Sequence, residues 1–253
     1  MDEIKRNRLF MHCPKFKTIM QESDQSKGIK APPHGQEVVG EVIQLPGFTG
    51  VLKCNSYTEL LDIRRSERAY TEEAMSQEQL AFMLWSAQGI QKFRDEKQIA
   101  TLRPVPSGGS RHPFELYAIV QNVTGLKPGI YKYLPLEHIG EKSVAIEYRG
   151  EFANHESRIS DMLAGQKWAA KAPVVLFISC VPYRAEWRYV NAAHRVALID
   201  LGHIGQNMML SASALGLGSC CLAAYHQELC DEALGFDGID EYTVYAVSVG
   251  AFK

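Results

Sequence analysis

The run from Asn191 to Leu215 constrains this chain more than any other stretch. It is the longest helical pattern present, carrying Val196, Leu198, Ile199, Ile204, Met208 and Leu215, with small residues throughout. Gly216-Leu217-Gly218 ends it. Gly202 and Gly205 within it predict a close helix–helix crossing. Just upstream, Val174 to Val181 is continuously apolar apart from Ser179, the pattern of a strand buried on both faces.

Other elements follow from local signals. Ser56 caps two helical turns from Tyr57 to Arg65, with Leu60, Leu61 and Arg64 on one side. Ser76 and Gln79 form a capping box, followed by Leu80, Met83, Leu84 and Ala87 at helical spacing, with Gly89 as the stop. Phe114–Val120 reads as a strand, and turn signals at Thr124-Gly125 and Pro128-Gly129 lead to a second at Ile130–Leu134. A third lies near Val144–Tyr148 and a last at Tyr242–Val249. Helices are expected over His155–Ala170 and Gln227–Leu234, and Ser219 to Ala224 is short and apolar. Strands and helices interspersed around one early hairpin predict a mixed-sheet α+β fold. Residues 1–55 show no sustained period and read as an arm that needs another surface, leaving 56–253 as the main domain.

The totals exclude several classes. The 253 residues carry 27 Lys+Arg against 29 Asp+Glu, so there is no global charge footprint for nucleic acid or membrane. Any preference for anions must be local. No apolar run reaches the length of a membrane span, and Met1 to Lys30 lacks the apolar core of a signal peptide. Cys13, Cys54, Cys180, Cys220, Cys221 and Cys230 form no CxxC pair, which suits a reducing cytoplasm. Asp200 and His203 lie one helical turn apart, but no third ligand converges, and no metal site is expected.

Two stretches carry the candidate chemistry. Arg64-Arg65-Ser66-Glu67-Arg68 sets three guanidiniums and a hydroxyl within five positions; guanidinium forks match phosphate oxygens, and a solvated charged turn is the alternative. Pro106-Ser107-Gly108-Gly109-Ser110-Arg111-His112 pairs glycines, which allow close backbone approach, with hydroxyl and cationic donors. It lacks the Gly-Lys-Ser/Thr ending of a nucleotide triphosphatase loop. Neither a Gly-x-Ser-x-Gly elbow nor a Gly-x-Gly-x-x-Gly after a strand is present, which argues against an α/β hydrolase and a Rossmann fold. Arg184, Trp187, Arg188 and Tyr189 form a basic-aromatic patch, read equally as a cleft border or as surface packing.

Taken in order, five motifs resemble the FMN-dependent nitroreductase family and its SagB-type branch. They are Arg64-Arg65-Ser66-x-Arg68, Arg103-Pro104-x-Pro106-Ser107-Gly108-Gly109, and Pro113-x-Glu115-Leu116-Tyr117 with Gly125-Leu126-x-Pro128-Gly129-Ile130-Tyr131-x-Tyr133. Asp200-x-Gly202-His203-x-x-Gln206-Asn207 and Ala214-Leu215-Gly216-Leu217-Gly218 complete the set. The resemblance implies a mixed, mainly antiparallel sheet flanked by helices, with the long helix at a homodimer interface. It implies that Arg64, Arg65, Ser66 and Arg68 hold the FMN phosphate and ribityl chain. Pro106, Ser107, Gly108 and Ser110 would lie beside the ring bound by the other subunit, and Cys221, Leu222, Ala223 and Ala224 near flavin N5. The family's C-terminal basic residue would be Lys253. NADH or NADPH would be the electron donor, and a nitro compound or quinone the acceptor.

Relatives that oxidise azolines in peptides carry a Lys-Tyr pair where this chain has Arg188-Tyr189. A guanidinium orients a substrate but does not serve as a base, which lowers the azoline-dehydrogenase reading. Tyr189 and His112 are the polar side chains named as candidate catalytic groups. A flavin-binding protein without turnover is the remaining alternative.

Overall fold

The computed structural model describes residues 2–12, 15–94 and 100–253. Among them the helices are α1 (Glu3–Asn7), α2 (Phe16–Glu22), α3 (Tyr57–Ile63), α4 (Gln77–Gln88), α5 (His155–Met162), α6 (Tyr183–Tyr189), α7 (Ala193–Ala214) and α8 (Gln227–Leu234). The strands are β1 (Glu41–Leu45), β2 (Lys92–Phe93), β3 (Thr101–Leu102), β4 (Phe114–Val120), β5 (Gly129–Tyr133), β6 (Val144–Gly150), β7 (Val174–Cys180), β8 (Gly218–Leu222) and β9 (Tyr242–Gly250). Seven strands form one sheet in the order β1-β6-β5-β4-β7-β9-β8, and β2 and β3 form a small hairpin. Every ladder of the large sheet is antiparallel. Parallel pairing is confined to isolated bridges, Ser66 with Ser219 and Met75 with Val123.

The continuous apolarity of β7 has its reason in the layers. Val174, Leu176 and Ile178 face a core shared with Leu80 and Leu84 of α4 and Leu201, Ile204 and Met208 of α7. Val175 and Phe177 face the opposite side, where Ile159 and Met162 of α5 and Cys230 and Leu234 of α8 close a second core. Successive residues of a strand point to opposite faces, so a strand covered on both must be apolar at every position. Ser179, the exception, donates to Glu241 at 2.5 Å.

The helix starts behave as their caps dictate. Ser76 accepts from the Gln79 amide at 3.2 Å while Gln79 accepts from the Ser76 amide at 2.8 Å, closing the capping box. Ser56 accepts from the Glu59 amide to start α3. Two expectations change. Gly205 does not serve a helix–helix crossing: a Cβ there would lie 2.9 Å from the Tyr245 ring, so the glycine lets α7 lie close on β9. Gly202 has open space beside it. Tyr183–Tyr189, read as a patch without assigned structure, is a helix.

The arm supplies an element that its weak periodicity did not reveal. Glu41–Leu45 pairs with β6 as the sheet's edge. Just before it, the amides of Val39 and Gly40 donate to the buried Glu147 carboxylate at 2.8 and 2.6 Å, and Gln36 donates to Glu241 at 2.6 Å. Farther back, Gln25 N donates to Trp187 O at 3.0 Å, and Trp187 Nε1 donates to Ile29 O at 2.9 Å.

The helix expected over His155–Ala170 stops at Met162. Ala164 N donates to Asp161 O and Gly165 N to Ser160 O, the paired closure of a Schellman turn, and Ala164 takes the left-handed position at φ +54°. That conformation costs a Cβ-bearing residue on the order of 1 kcal/mol relative to glycine. Ala164→Gly is therefore expected to stabilise the fold by about 1 kcal/mol. Urea unfolding measures this, and an unchanged or lowered midpoint contradicts it.

Candidate active site

The arginine segment begins where α3 ends. Arg64 caps that helix, its amide donating to Leu60 O at 3.0 Å, and the chain then runs alongside β8. Ser66 bridges Ser219 in parallel register, and the Glu67 amide donates to Ser219 O at 3.0 Å. Gly218 allows the approach, because a Cβ there would lie 2.7 Å from Glu67 Cβ. Tyr70 fixes the far end: its hydroxyl and Ser248 Oγ are 2.7 Å apart, inside the sheet. Lys253 joins the same group, since its amide donates to Ala69 O at 3.0 Å and Phe252 bridges Tyr70.

Arg64, Arg65, Ser66 and Arg68 thereby run alongside β8, and the Lys253 backbone lies next to the same segment, while its side chain lines a neighbouring pocket with Glu72 and Glu156. Arg65 Nη1 donates to Arg64 O at 2.8 Å, Arg68 Nη1 donates to Ser66 O at 3.2 Å, and the Arg68 guanidinium stacks over Trp168 at 5.4 Å. Among the described residues none of these four cations is in an ion pair. Guanidiniums that no carboxylate neutralises are available to phosphate oxygens.

β8 is the terminal strand of the sheet and carries Cys221 and Leu222, with Ala223 and Ala224 following it. Burial pushes the Cys221 thiol up to about 11 and raises that of Cys220, so both stay protonated at neutral pH. Cys221 Sγ lies 3.8 Å from Gly205 O, which ties the strand to α7.

The Pro106–His112 loop meets α7 nearer its start. Asp200 accepts from Ser107 Oγ at 2.6 Å and from the Gly108 amide at 3.0 Å, while Ser107 Oγ also accepts from the His112 amide at 2.9 Å. Burial raises the Asp200 carboxyl above the usual carboxylate range, and its bonds from Ser107 and Gly108 oppose that rise. Ser110 Oγ donates to the Thr101 carbonyl. The glycines serve packing. A Cβ on Gly108 would meet Val196 Cγ1 at 2.3 Å, and one on Gly109 would meet Arg188 Cδ at 2.6 Å and the Tyr189 hydroxyl at 2.7 Å. Gly109 is also left-handed, at φ +58°. The loop therefore sits between α7 and the Arg188-Tyr189 end of α6.

Asp200 is the residue that the sequence reading missed in this role. The available signal was its cost: a carboxylate on an apolar helix must find donors, and a Ser-Gly-Gly loop is the natural supply. Within one chain the loop group and the arginine group share α7 but exchange no hydrogen bond among the described residues. The α7 surface beside them leaves Leu198 and Ile199 about half exposed, at 54% and 51%.

The two candidate catalytic groups differ. Tyr189 is half-buried at the loop, with Phe16 of the arm edge-on to its ring at 6.3 Å. His112 is buried, and its imidazole is pushed down to about 2, first by burial and next by Arg103. It is a neutral group at any working pH and has no proton to give from a charged ring. Its folded value lies below the unfolded value of 6.5, so its contribution to stability is complete above pH 6.5 and is lost as pH falls from there toward 2. The expected slope is up to about 1.4 kcal/mol per pH unit from this group. His112→Gln is expected to flatten the acid limb of the stability profile by one proton; an unchanged slope in denaturant titrations contradicts the assignment.

Residues 61–251 match the nitroreductase family. A provisionally named nitroreductase of Methanocaldococcus jannaschii is 31% identical over 208 residues, covering 82% of this chain and 95% of that protein. The trifolitoxin-processing protein of Rhizobium leguminosarum bv. trifolii is 31% identical over 150 residues, which is 58% of this chain and 39% of that protein. The crystal structure of a provisionally named nitroreductase from Anabaena variabilis superposes with a TM-score of 0.66 at 23% identity, covering 89% of this chain and 45% of that one, and shares the fold. The chain belongs to the nitroreductase family, with SagB-type proteins among its relatives.

Proposed function

We propose that this chain is an FMN-dependent oxidoreductase that uses NADH or NADPH to reduce an electron-poor acceptor of the nitro or quinone type. The observation that carries the reading is the segment of Arg64, Arg65 and Arg68 laid along β8, with none of the three in an ion pair among the described residues. Arg64, Arg65, Ser66, Arg68 and Lys253 would bind the cofactor phosphate and ribityl chain. The segment Cys221, Leu222, Ala223 and Ala224 would border the ring. Bound FMN would supply two-electron exchange between the nicotinamide donor and the acceptor.

The protein's own part is binding, orientation and electrostatics. Arginines close to the ring favour negative charge there by Coulomb attraction that partial burial strengthens. The exposed apolar stripe at Leu198 and Ile199 fits a homodimer packed along α7. Such packing would bring Pro106, Ser107, Gly108 and Ser110 of one copy to the arginine group of the other. Tyr189, at the edge of that loop, is the hydroxyl best placed to hold a proton for the acceptor, whereas His112 is buried behind it. The free cysteines Cys54, Cys180, Cys220, Cys221 and Cys230 fit a cytoplasmic setting.

A second reading is oxidation of an azoline in a peptide, favoured by the similarity to a trifolitoxin-processing protein. Arg188, standing where a lysine is expected for that chemistry, weighs against it.

A visible spectrum of the purified protein, followed by anaerobic addition of NADH and then NADPH, tests the reading. Flavin absorbance bleached by either donor is expected; a colourless protein that takes up no added FMN rejects it. Arg65→Ala is expected to weaken FMN binding tenfold or more, the order of one charge-assisted bond. A variant that purifies with full flavin occupancy rejects the phosphate assignment.

A further inference from the structure

Behind the Pro106–His112 loop lies a cleft of about 530 Å³. Arg94, Arg103 and Arg188 line it together with Ser107, Ser110 and His112, and none of its described lining residues is acidic. Arg103 and Arg188 spend their hydrogen bonds on neutral acceptors. Arg103 Nε donates to Thr101 Oγ1 at 3.1 Å, its Nη1 donates to Gln88 Oε1 at 2.6 Å, and Arg188 Nη1 donates to Gln25 Oε1 at 2.6 Å. Arg103 Nη2, Arg188 Nε and His112 Nδ1 are buried without a hydrogen-bond partner.

The wall behind is also cationic. Arg111 stacks over Trp187 at 4.7 Å and donates to Arg184 O at 2.9 Å; Arg184 itself pairs with Glu115 at 2.5 Å. Burial pushes the Arg103 and Arg111 guanidiniums down to about 10, and neighbouring arginines add to the effect, Arg184 on Arg103 and Arg188 with Arg184 on Arg111. Glu115 opposes the effect on Arg103 from its pair with Arg184.

We propose that this cleft binds an anionic group, a carboxylate or a phosphate, with Arg188 and Arg103 as its main donors. Arg188 is the accessible member, half-buried at the mouth, while Arg103 is only 8% exposed at the base. Such a group has two sources under the function proposed above, on which this step rests: an acidic acceptor, or the phosphates of the nicotinamide donor.

Calorimetry on the purified protein with 4-nitrobenzoate and its neutral counterpart 4-nitrobenzamide tests the cleft without requiring turnover. The carboxylate is expected to bind about tenfold tighter, Arg188→Gln to abolish the difference and Arg188→Lys to retain part of it. Gln25→Ala, which removes the arm's bond to Arg188 but keeps the charge, is expected to leave the preference intact. Equal binding of the two probes by the wild type, or the same loss in Gln25→Ala as in Arg188→Gln, overturns the proposal. Stopped-flow half-reactions then separate the sources. Arg188→Gln slows flavin reduction by the nicotinamide if its phosphates occupy the cleft, and slows reoxidation by 4-nitrobenzoate if the acceptor does. A protein without flavin would reject the function proposed above, whereas the calorimetry would still decide the cleft.

Discussion

The fold depends on burying both faces of β7 at once. Helices α4 and α7 cover one side and α5 and α8 the other, and the alternating residues Val174 to Ile178 reach into both cores. Burial of each such side chain contributes roughly 1.5–3 kcal/mol, so neither layer can be removed without exposing half of the strand. α7 has to lie flat on the sheet to do this. Gly205 permits it by admitting the Tyr245 ring where a side chain would stand. From that single helix hang both candidate groups: β8 by way of Gly205, and the Ser-Gly-Gly loop by way of Val196 and Asp200.

Charge is handled in two ways on this scaffold. Inside, it is compensated: Asp200 takes two donors from the loop, Glu147 takes two amides from the arm, and Glu115 pairs with Arg184. Beside β8, by contrast, Arg64, Arg65 and Arg68 stand at or near the surface without an ion pair among the described residues. Interior charge must be matched within the chain because desolvation is costly, whereas surface charge can wait for a ligand. The Arg103–Arg188 cleft falls between these cases, partly desolvated and with no acidic residue among its described lining.

Local signals were legible wherever a side chain acts on its own neighbours. The Ser76–Gln79 capping box, the Ser56 cap and the strand at Phe114–Val120 appear as read. The readings that changed concern features settled at a distance. The edge strand Glu41–Leu45 has an unremarkable pattern because only part of it is covered. The helix from His155 ends early because Ala164 accepts a left-handed turn that its identity does not advertise. Gly205 meets the Tyr245 ring and not a second helix, because glycine permits any close approach and does not name the partner.

The sequence by itself determined the α+β class, the family through its ordered motifs, and the residue types able to hold an anion at Arg64–Arg68. Those depend on composition and spacing along the chain. Only the tertiary structure decided that the Lys253 backbone lies against Ala69, next to the arginine segment, that Asp200 anchors the loop, and that His112 is sealed in as a neutral ring. It also assembled Arg94, Arg103 and Arg188 around one cleft. The physical reason is that desolvation and charge–charge distance are properties of packing across the chain, and no local pattern encodes them.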